Sequence, residues 1–278
     1  MNKTWLITGA SSGLGRKLTE KLLYRGDRVF ATVRKSGVLE DLQRQYGSSL
    51  SILYMDLTDT DALRAAVSQA FSQSERIDVV VSNAGYGLFG AAEELKDEQI
   101  ERQLATNLMG SIQLIRAVIP FLRSQGGGRI LQVSSEGGQI AYPNFSLYHA
   151  SKWGIEGFIE SVSQEVAAFG IDFMIAEPGP TGTNFASGLD HGNAMACYEH
   201  TASGEMRRAL ASGKFEIKGD ADNTVDIMIA FADRTYPPLR LPLGSSAYNN
   251  IQQALKKRLE TLESLKEIAC SADVNKDY

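Results

Sequence analysis

Apolar residues along this chain alternate between two periods. Trp5-Leu6-Ile7-Thr8 is a short apolar run, after which Leu18, Leu22 and Leu23 recur at helical spacing within Arg16 to Arg25. Arg28 to Val33 predicts a second strand, Val38 to Tyr46 a short helix and Ser51 to Met55 a third strand. Asp61 to Ser72 places Leu63, Val67 and Phe71 on one helical face. Ile77 to Val81 is apolar without interruption, the signature of a strand buried on both faces. A helix over about Lys96 to Leu122, a strand over Arg129 to Val133, a helix over about Ser146 to Phe169 and a strand over Ile171 to Ala176 continue the pattern. Beyond Pro178-Gly179-Pro180 lie a loop-rich stretch to about Ala196, a helix to about Ser212 and another over Ala221 to Phe231. Arg240 to Leu243 predicts a seventh strand, and Tyr248 to about Ala269 a final helix.

Alternation of this kind implies an α/β fold, a doubly wound parallel sheet of about seven strands with helices on both faces. The chain shows no low-complexity linker, so residues 1–278 are expected to form a single domain with a C-terminal helix at about 248–269. The segment at about 184–204 follows the sixth strand, where ligands of open parallel sheets bind. Gly188, Gly192 and Gly204 make rigid packing there entropically costly, while Phe185, Leu189 and Met195 could close over a ligand. A substrate lid is therefore expected.

Composition changes this picture little. Hydrophobic residues make up 43% and charged residues 22%, which is ordinary for a globular protein. A net charge of −5 weighs against nucleic acid as a partner. The basic run Lys256-Lys257-Arg258 is soon offset by Glu260, Glu263 and Glu267, and fits a solvated helix face. Cys197 and Cys270 are far apart and suit a reducing compartment. No apolar signal region precedes the first strand, and no stretch reaches the ~18 apolar residues of a membrane helix. A soluble, cytoplasmic protein without a membrane segment is expected. His149, His191 and His200 form no metal-spaced cluster, so no metal is expected.

Candidate chemistry starts at the first strand–helix junction. Thr8-Gly9-Ala10-Ser11-Ser12-Gly13-Leu14-Gly15 supplies the small residues a phosphate cradle needs. The turn is tight, the backbone must approach a pyrophosphate, and free N–H groups at the helix start can bind it. The second strand ends in Thr32-Val33-Arg34-Lys35, without the acidic residue that commonly meets a ribose 2′-hydroxyl. Arg34 instead offers a fixed charge and several donors to a 2′-phosphate, which favours NADP(H). Tyr148 and Lys152 are four residues apart, on one helical face. A phenol can protonate a carbonyl oxygen as charge develops on it, and a nearby ammonium favours the phenolate.

The ordered set of motifs resembles the short-chain dehydrogenase/reductase family over roughly residues 3 to 245. The glycine loop matches TGxxxGxG through Thr8, Gly9, Gly13 and Gly15, and Ser82-Asn83-Ala84-Gly85 matches NNAG with serine in first place. Asn107-Leu108-Met109-Gly110 matches NxxG, Tyr148 to Lys152 matches YxxxK, and Pro178-Gly179 with Thr183 matches PGxxxT. The resemblance implies a Rossmann-type fold and a cofactor site of Gly9, Ser11, Ser12, Gly13, Leu14, Gly15, Arg34, Asp56, Leu57, Asn83, Ala84, Gly85, Tyr148, Lys152, Pro178, Gly179 and Thr183. Within that set Asp56 meets the adenine, and Pro178, Gly179 and Thr183 flank the nicotinamide.

The catalytic residues implied are Asn107, Ser135, Tyr148 and Lys152. The family's usual separation of 13 residues before the tyrosine favours Ser135 over its neighbour Ser134. Lys152 is implied to hold the nicotinamide ribose, and Asn107 to support a water-linked proton relay. Arg34 and the segment after Pro178 look like NADP-linked members related to hydroxysteroid and retinol dehydrogenases, as does the phrase from Pro237 to Gly244.

The expected function is interconversion of an alcohol and a ketone or aldehyde, with Tyr148 as general acid and base. Epimerisation or dehydration through a transient oxidised intermediate is an alternative, as is a catalytically quiet NADP-binding regulator. Phe89, Tyr142, Pro143, Phe145, Phe185, Leu189, Met195 and Tyr198 suggest a moderately apolar substrate, or simply pack the lid. The resemblance also implies a homodimer or homotetramer paired through the two long helices.

Overall fold

A computed structural model describes residues 2–213 and 216–273. Seven strands form one sheet: β1 (Thr4–Thr8), β2 (Arg28–Val33), β3 (Leu50–Tyr54), β4 (Val79–Ser82), β5 (Gly128–Val133), β6 (Ile171–Pro178) and β7 (Arg240–Leu243). All neighbours pair in parallel, in the spatial order β3-β2-β1-β4-β5-β6-β7. The order reverses between β1 and β4, so connections leave these two strands towards opposite edges and open a crevice at their carboxyl ends.

Period-two side-chain alternation divides the core into two layers. Trp5, Ile7, Val29, Ala31, Val79, Val81, Leu131 and Met174 face one side. There they meet α1 (Gly13–Arg25), α2 (Glu40–Tyr46) and α7 (Ala221–Ala232), through Leu18, Leu22, Leu42, Val225 and Met228. Leu6, Phe30, Val80, Ile130 and Ile175 face the other side. They meet α3 (Thr60–Ser72), α4 (Asp97–Ser124) and α5 (Ser146–Val166), through Leu63, Leu114, Val118, Ile155 and Ile159. Strands buried on both faces explain the uninterrupted apolar runs in the sequence.

Three elements depart from the expected boundaries. α1 begins at Gly13 rather than Arg16, so the last two glycines of the loop lie in its first turn. α4 runs on through Pro120 to Ser124 and contains a π-helical turn at Ala105–Met109. The single helix expected between Ala196 and Ser212 is a short turn at Ala196–Tyr198 followed by α6 (Ala202–Ala211). α4 is also long enough to cross a membrane and holds an 18-residue window with a mean hydropathy of 1.2. Its buried stripe, Leu114, Ile115, Val118 and Leu122, packs against the sheet.

Candidate active site

The glycine loop has no room for a side chain at Gly9 or Gly15. Gly9 and Gly13 have φ of 68° and 56°, a left-handed conformation that favours glycine. A Cβ on Gly9 would stand 2.8 Å from Ala84 Cα, and one on Gly15 would strike the Gly9 carbonyl. Ser12 caps α1 without a side-chain bond, and the first turn carries no acidic residue. Orphan N–H groups therefore face the crevice, and the helix dipole adds positive potential there. Thr183, beyond β6, reaches the same loop, because a Cβ on Gly13 would lie 3.8 Å from the Thr183 Cβ. Such a concave, donor-lined, carboxylate-free turn fits a dinucleotide pyrophosphate.

The turn after β4 is stitched to this loop by Thr8. Its hydroxyl accepts from Asn83 N at 3.0 Å and Ala84 N at 3.2 Å, and donates to the Val81 carbonyl. The Asn83 amide donates to the carbonyls of Thr8, at 2.9 Å, and Gly9, at 3.2 Å. The donors of Asn83 are thus spent inside the protein, so this residue shapes the cradle. The Leu57 side chain likewise packs in the core, close to Gly110, where a Cβ would lie 2.9 Å from its own. Asp56 puts an acidic group just past the end of β3. Bonds from the Thr58 backbone and hydroxyl, with the charge of Arg34, outweigh partial burial and hold its carboxyl below the usual range. Arg34 is exposed at the end of β2 and forms no ion pair among the described residues.

Tyr148 and Lys152 sit one turn apart on α5, at the carboxyl ends of β5 and β6. Burial pushes the Tyr148 hydroxyl up to about 12, while a bond from the adjacent Ser135 hydroxyl pulls the other way. Lys152 is buried, and its ammonium donates to the Val133 carbonyl at 3.0 Å. Burial draws it down to about 8 against the opposing charge of Glu156. Its Nζ lies 5.6 Å from the Tyr148 ring centre.

The two serines have separate tasks. Ser135 accepts from Gly137 N at 3.1 Å and stands beside Tyr148, whereas Ser134, 3% exposed, donates to the Glu156 carboxylate. Asn107 lies within the π-helical turn, where it bonds both backbone groups of Tyr86: its Nδ2 donates to the carbonyl at 2.8 Å and its Oδ1 accepts from the N–H at 3.1 Å. Its backbone carbonyl accepts from the Ser111 hydroxyl at 3.0 Å. The side chain therefore fixes the turn after Gly85. His149 is a buried staple, with Nε2 accepting from Tyr142 N and Nδ1 facing the Gly137 carbonyl.

An apolar wall covers the tyrosine. The Phe185 ring lies 5.5 Å from that of Tyr148, and Phe145 meets both Tyr148 and Phe89. Asp190–His191 pairs with Leu88–Phe89 in a two-stranded sheet. Gln99 and Arg102 of α4 hold Asp190. Glu94, 4% exposed, accepts from Ala91 N, Met195 N and the Arg207 guanidinium, each at 2.8 Å. An open cavity of about 410 Å³ is bordered by Phe89, Glu94, Ala186, His191 and Arg207.

The sequence reading missed two groups. One is the Glu94–Arg207 anchor. The other lies behind α5, where half-buried Arg240 bonds the buried Glu156 and Glu177 and the exposed Glu160. Glu177 is fully buried, and burial with the nearby Glu156 charge raises its carboxyl to about 7. A charge closing the apolar run Phe173-Met174-Ile175-Ala176 was the available signal.

The chain matches the short chain dehydrogenase family over residues 3–194. It is 35% identical over 276 residues to oxidoreductase BOA17 of Botryotinia fuckeliana, covering 98% of this chain and all of that protein. It is 32% identical to the 3-ketodihydrosphingosine reductase of Bacteroides thetaiotaomicron, covering 86% of this chain and 87% of that protein. A solved short-chain dehydrogenase from Streptomyces avermitilis superposes with a TM-score of 0.89 at 30% identity, covering 98% of each chain.

Proposed function

The chain belongs to the short-chain dehydrogenase family and is an oxidoreductase, and we propose that it interconverts an apolar alcohol and its carbonyl compound with NADP(H). The observation that carries this reading is Tyr148 flanked by Ser135 and Lys152 at the mouth of the glycine-loop crevice. Gly9, Gly13, Gly15 and the start of α1 would hold the pyrophosphate, Asp56 the adenine, and Arg34 the 2′-phosphate. The bound nicotinamide supplies or accepts the hydride.

The protein's own groups manage the proton. A phenol with a pKa near 12 keeps its proton at neutral pH and can donate it to the carbonyl oxygen during reduction. Ser135 Oγ can donate a second bond to that oxygen, stabilising the developing charge. The Lys152 ammonium then favours the phenolate left behind. A proton relay through the Asn107 region remains part of this proposal, supported by the π-helical turn that sets that segment apart from regular helix.

Phe89, Phe145 and Phe185 favour an apolar group beside the reacting carbon. The Bacteroides relative named a 3-ketodihydrosphingosine reductase makes a ketone the first class to try. The lid reading narrows from about residues 184–204 to about 184–189, because residues 190–195 are tied down through Gly87, Phe89 and Glu94 and the rest enters the turn at Ala196–Tyr198 and α6. Pairing of α4 and α5 into a homodimer or homotetramer is supported by outward Met109 and Trp153. The two exposed free cysteines accord with a reducing cytoplasm.

A ketone panel assayed by NADPH and NADH oxidation tests the reading. Turnover with at least one apolar ketone, at higher kcat/KM with NADPH, is expected. Equal or better kcat/KM with NADH would overturn the cofactor assignment.

A further inference from the structure

Past Ile251 the C-terminal helix α8 (Ser245–Ser264) becomes largely exposed, touching the body through Ala254 and Arg258. Its first turns are well seated. Ala247 and Ile251 pack on Ile140, and Asn250 donates to the Glu136 carboxylate and the Tyr142 hydroxyl. Arg258 lies 5.1 Å over the Trp153 ring. From Gln252 to Ser264, however, every residue except Ala254 is exposed.

This projecting part carries an apolar stripe. Leu255, Leu259 and Leu262 recur at spacings of four and three, which places them on one helical face, and are 49%, 55% and 65% exposed. A short helix with little of its surface buried is marginal in water, and most helical stability comes from packing an apolar face. The stripe calls for a surface that covers it.

The flanking charges identify that surface. Lys256 follows Leu255 and Glu263 follows Leu262, so both lie on the same flank of the stripe. An antiparallel pair of α8 helices about a two-fold axis near Leu259 brings Leu255 against the partner's Leu262. The same rotation brings Lys256 against the partner's Glu263, twice per pair. In a parallel pair this flank would instead face the partner's opposite flank, whose Arg258 is already turned onto its own Trp153. We propose that the projecting half of α8 is a homodimerisation arm that pairs antiparallel with the same helix of a second copy. The arm starts beside α5, where Arg258 covers Trp153, but its outward leucine stripe is a different surface and its pairing does not depend on the oxidoreductase chemistry. An anionic lipid surface suits it less well, because Glu260, Glu263 and Glu267 interrupt Lys256, Lys257, Arg258 and Lys266.

Sedimentation of the full chain, with charge reversals, tests the pairing. Lys256→Glu alone should weaken the α8-dependent association step about 10-fold, because two exposed attractive pairs become repulsive. Glu263→Lys alone should do the same, and the two together should restore wild-type association. Melting temperatures should stay unchanged, since these side chains are exposed. A second measurement locates the contact. With Cys197 and Cys270 replaced by serine, Leu259→Cys should cross-link between copies under oxidation, and Thr261→Cys, on another face, should not. Wild-type association in the single reversals, failure of the double reversal to restore it, or equal cross-linking at both positions would overturn the proposal. So would binding of phosphatidylserine vesicles that is lost with Leu255→Ser and Leu259→Ser while chain association is unaffected.

Discussion

The floor and the roof of the active site are built in different ways. The floor consists of the glycine loop, the turn after β4 and the start of α5. Its tie points, such as Thr8, Ser134, His149 and Lys152, are buried and bond to backbone or to buried carboxylates. The roof, from Thr181 to Ala211, has one buried residue, Gly204, among the described residues. It is held by Glu94–Arg207, Arg102–Asp190 and Glu199–Arg208, the last two between partly exposed groups. Buried bonds are costly to leave unmade, whereas exposed ion pairs contribute little. The contrast indicates a proton-transfer geometry that tolerates no displacement beneath a substrate surface free to vary.

The largest effect should come from the floor's reacting atom. Tyr148→Phe removes the hydroxyl and keeps the ring, so kcat should fall by roughly 10²–10⁴-fold. NADPH binding, followed by its fluorescence, should persist. Turnover near wild type would break the comparison at its centre.

Glu177, in β6 behind the floor, tests whether the buried charges that back it are costly. Its folded pKa of about 7 lies above the ordinary 4.5, so the native state holds a proton that the unfolded chain has released over that interval. Stability from this group is therefore present below the lower value and lost as pH rises through about 7. The loss should reach about 3 kcal/mol at most. Glu177→Gln should flatten it, as measured by urea unfolding at acidic and alkaline pH. An unchanged pH slope would show that Arg240 already neutralises the group.

Arg34 lies at the edge of the floor and should affect one ligand only. Arg34→Ala should weaken NADP(H) binding by about 1–3 kcal/mol while leaving NAD(H) and the melting temperature nearly unchanged. Calorimetric titration with both cofactors checks this. Equal losses for the two would remove the 2′-phosphate assignment.

The smallest effect should come from the roof. Phe185→Ala should change stability by no more than about 0.5 kcal/mol, since the ring is 39% exposed. It should raise KM for apolar ketones a few-fold and spare kcat. A collapse of kcat to the level of Tyr148→Phe would place Phe185 with the floor and blur the distinction.

The sequence by itself determined the order of strands and helices, the parallel sheet and most of the site. Glycine positions and the Tyr148–Lys152 spacing encode local geometry, and local geometry is what periodicity and turn chemistry report. Spacing also favoured Ser135, but only the fold gave the reason, by turning Ser134 into the Glu156 carboxylate. The long helix around Asn107 was legible, whereas its π-helical turn was not, because one extra residue per turn leaves the apolar pattern almost unchanged. The resemblance put Asn83 in the cofactor set, but only the fold showed that its amide bonds carbonyls more than seventy residues earlier in the chain. The tertiary structure also decided the company of Arg240, which gathers Glu156, Glu160 and Glu177 from two other elements. Each charge is unremarked in its own segment. Burial and pairing are properties of the space between segments, so they appear only once the chain has closed around them.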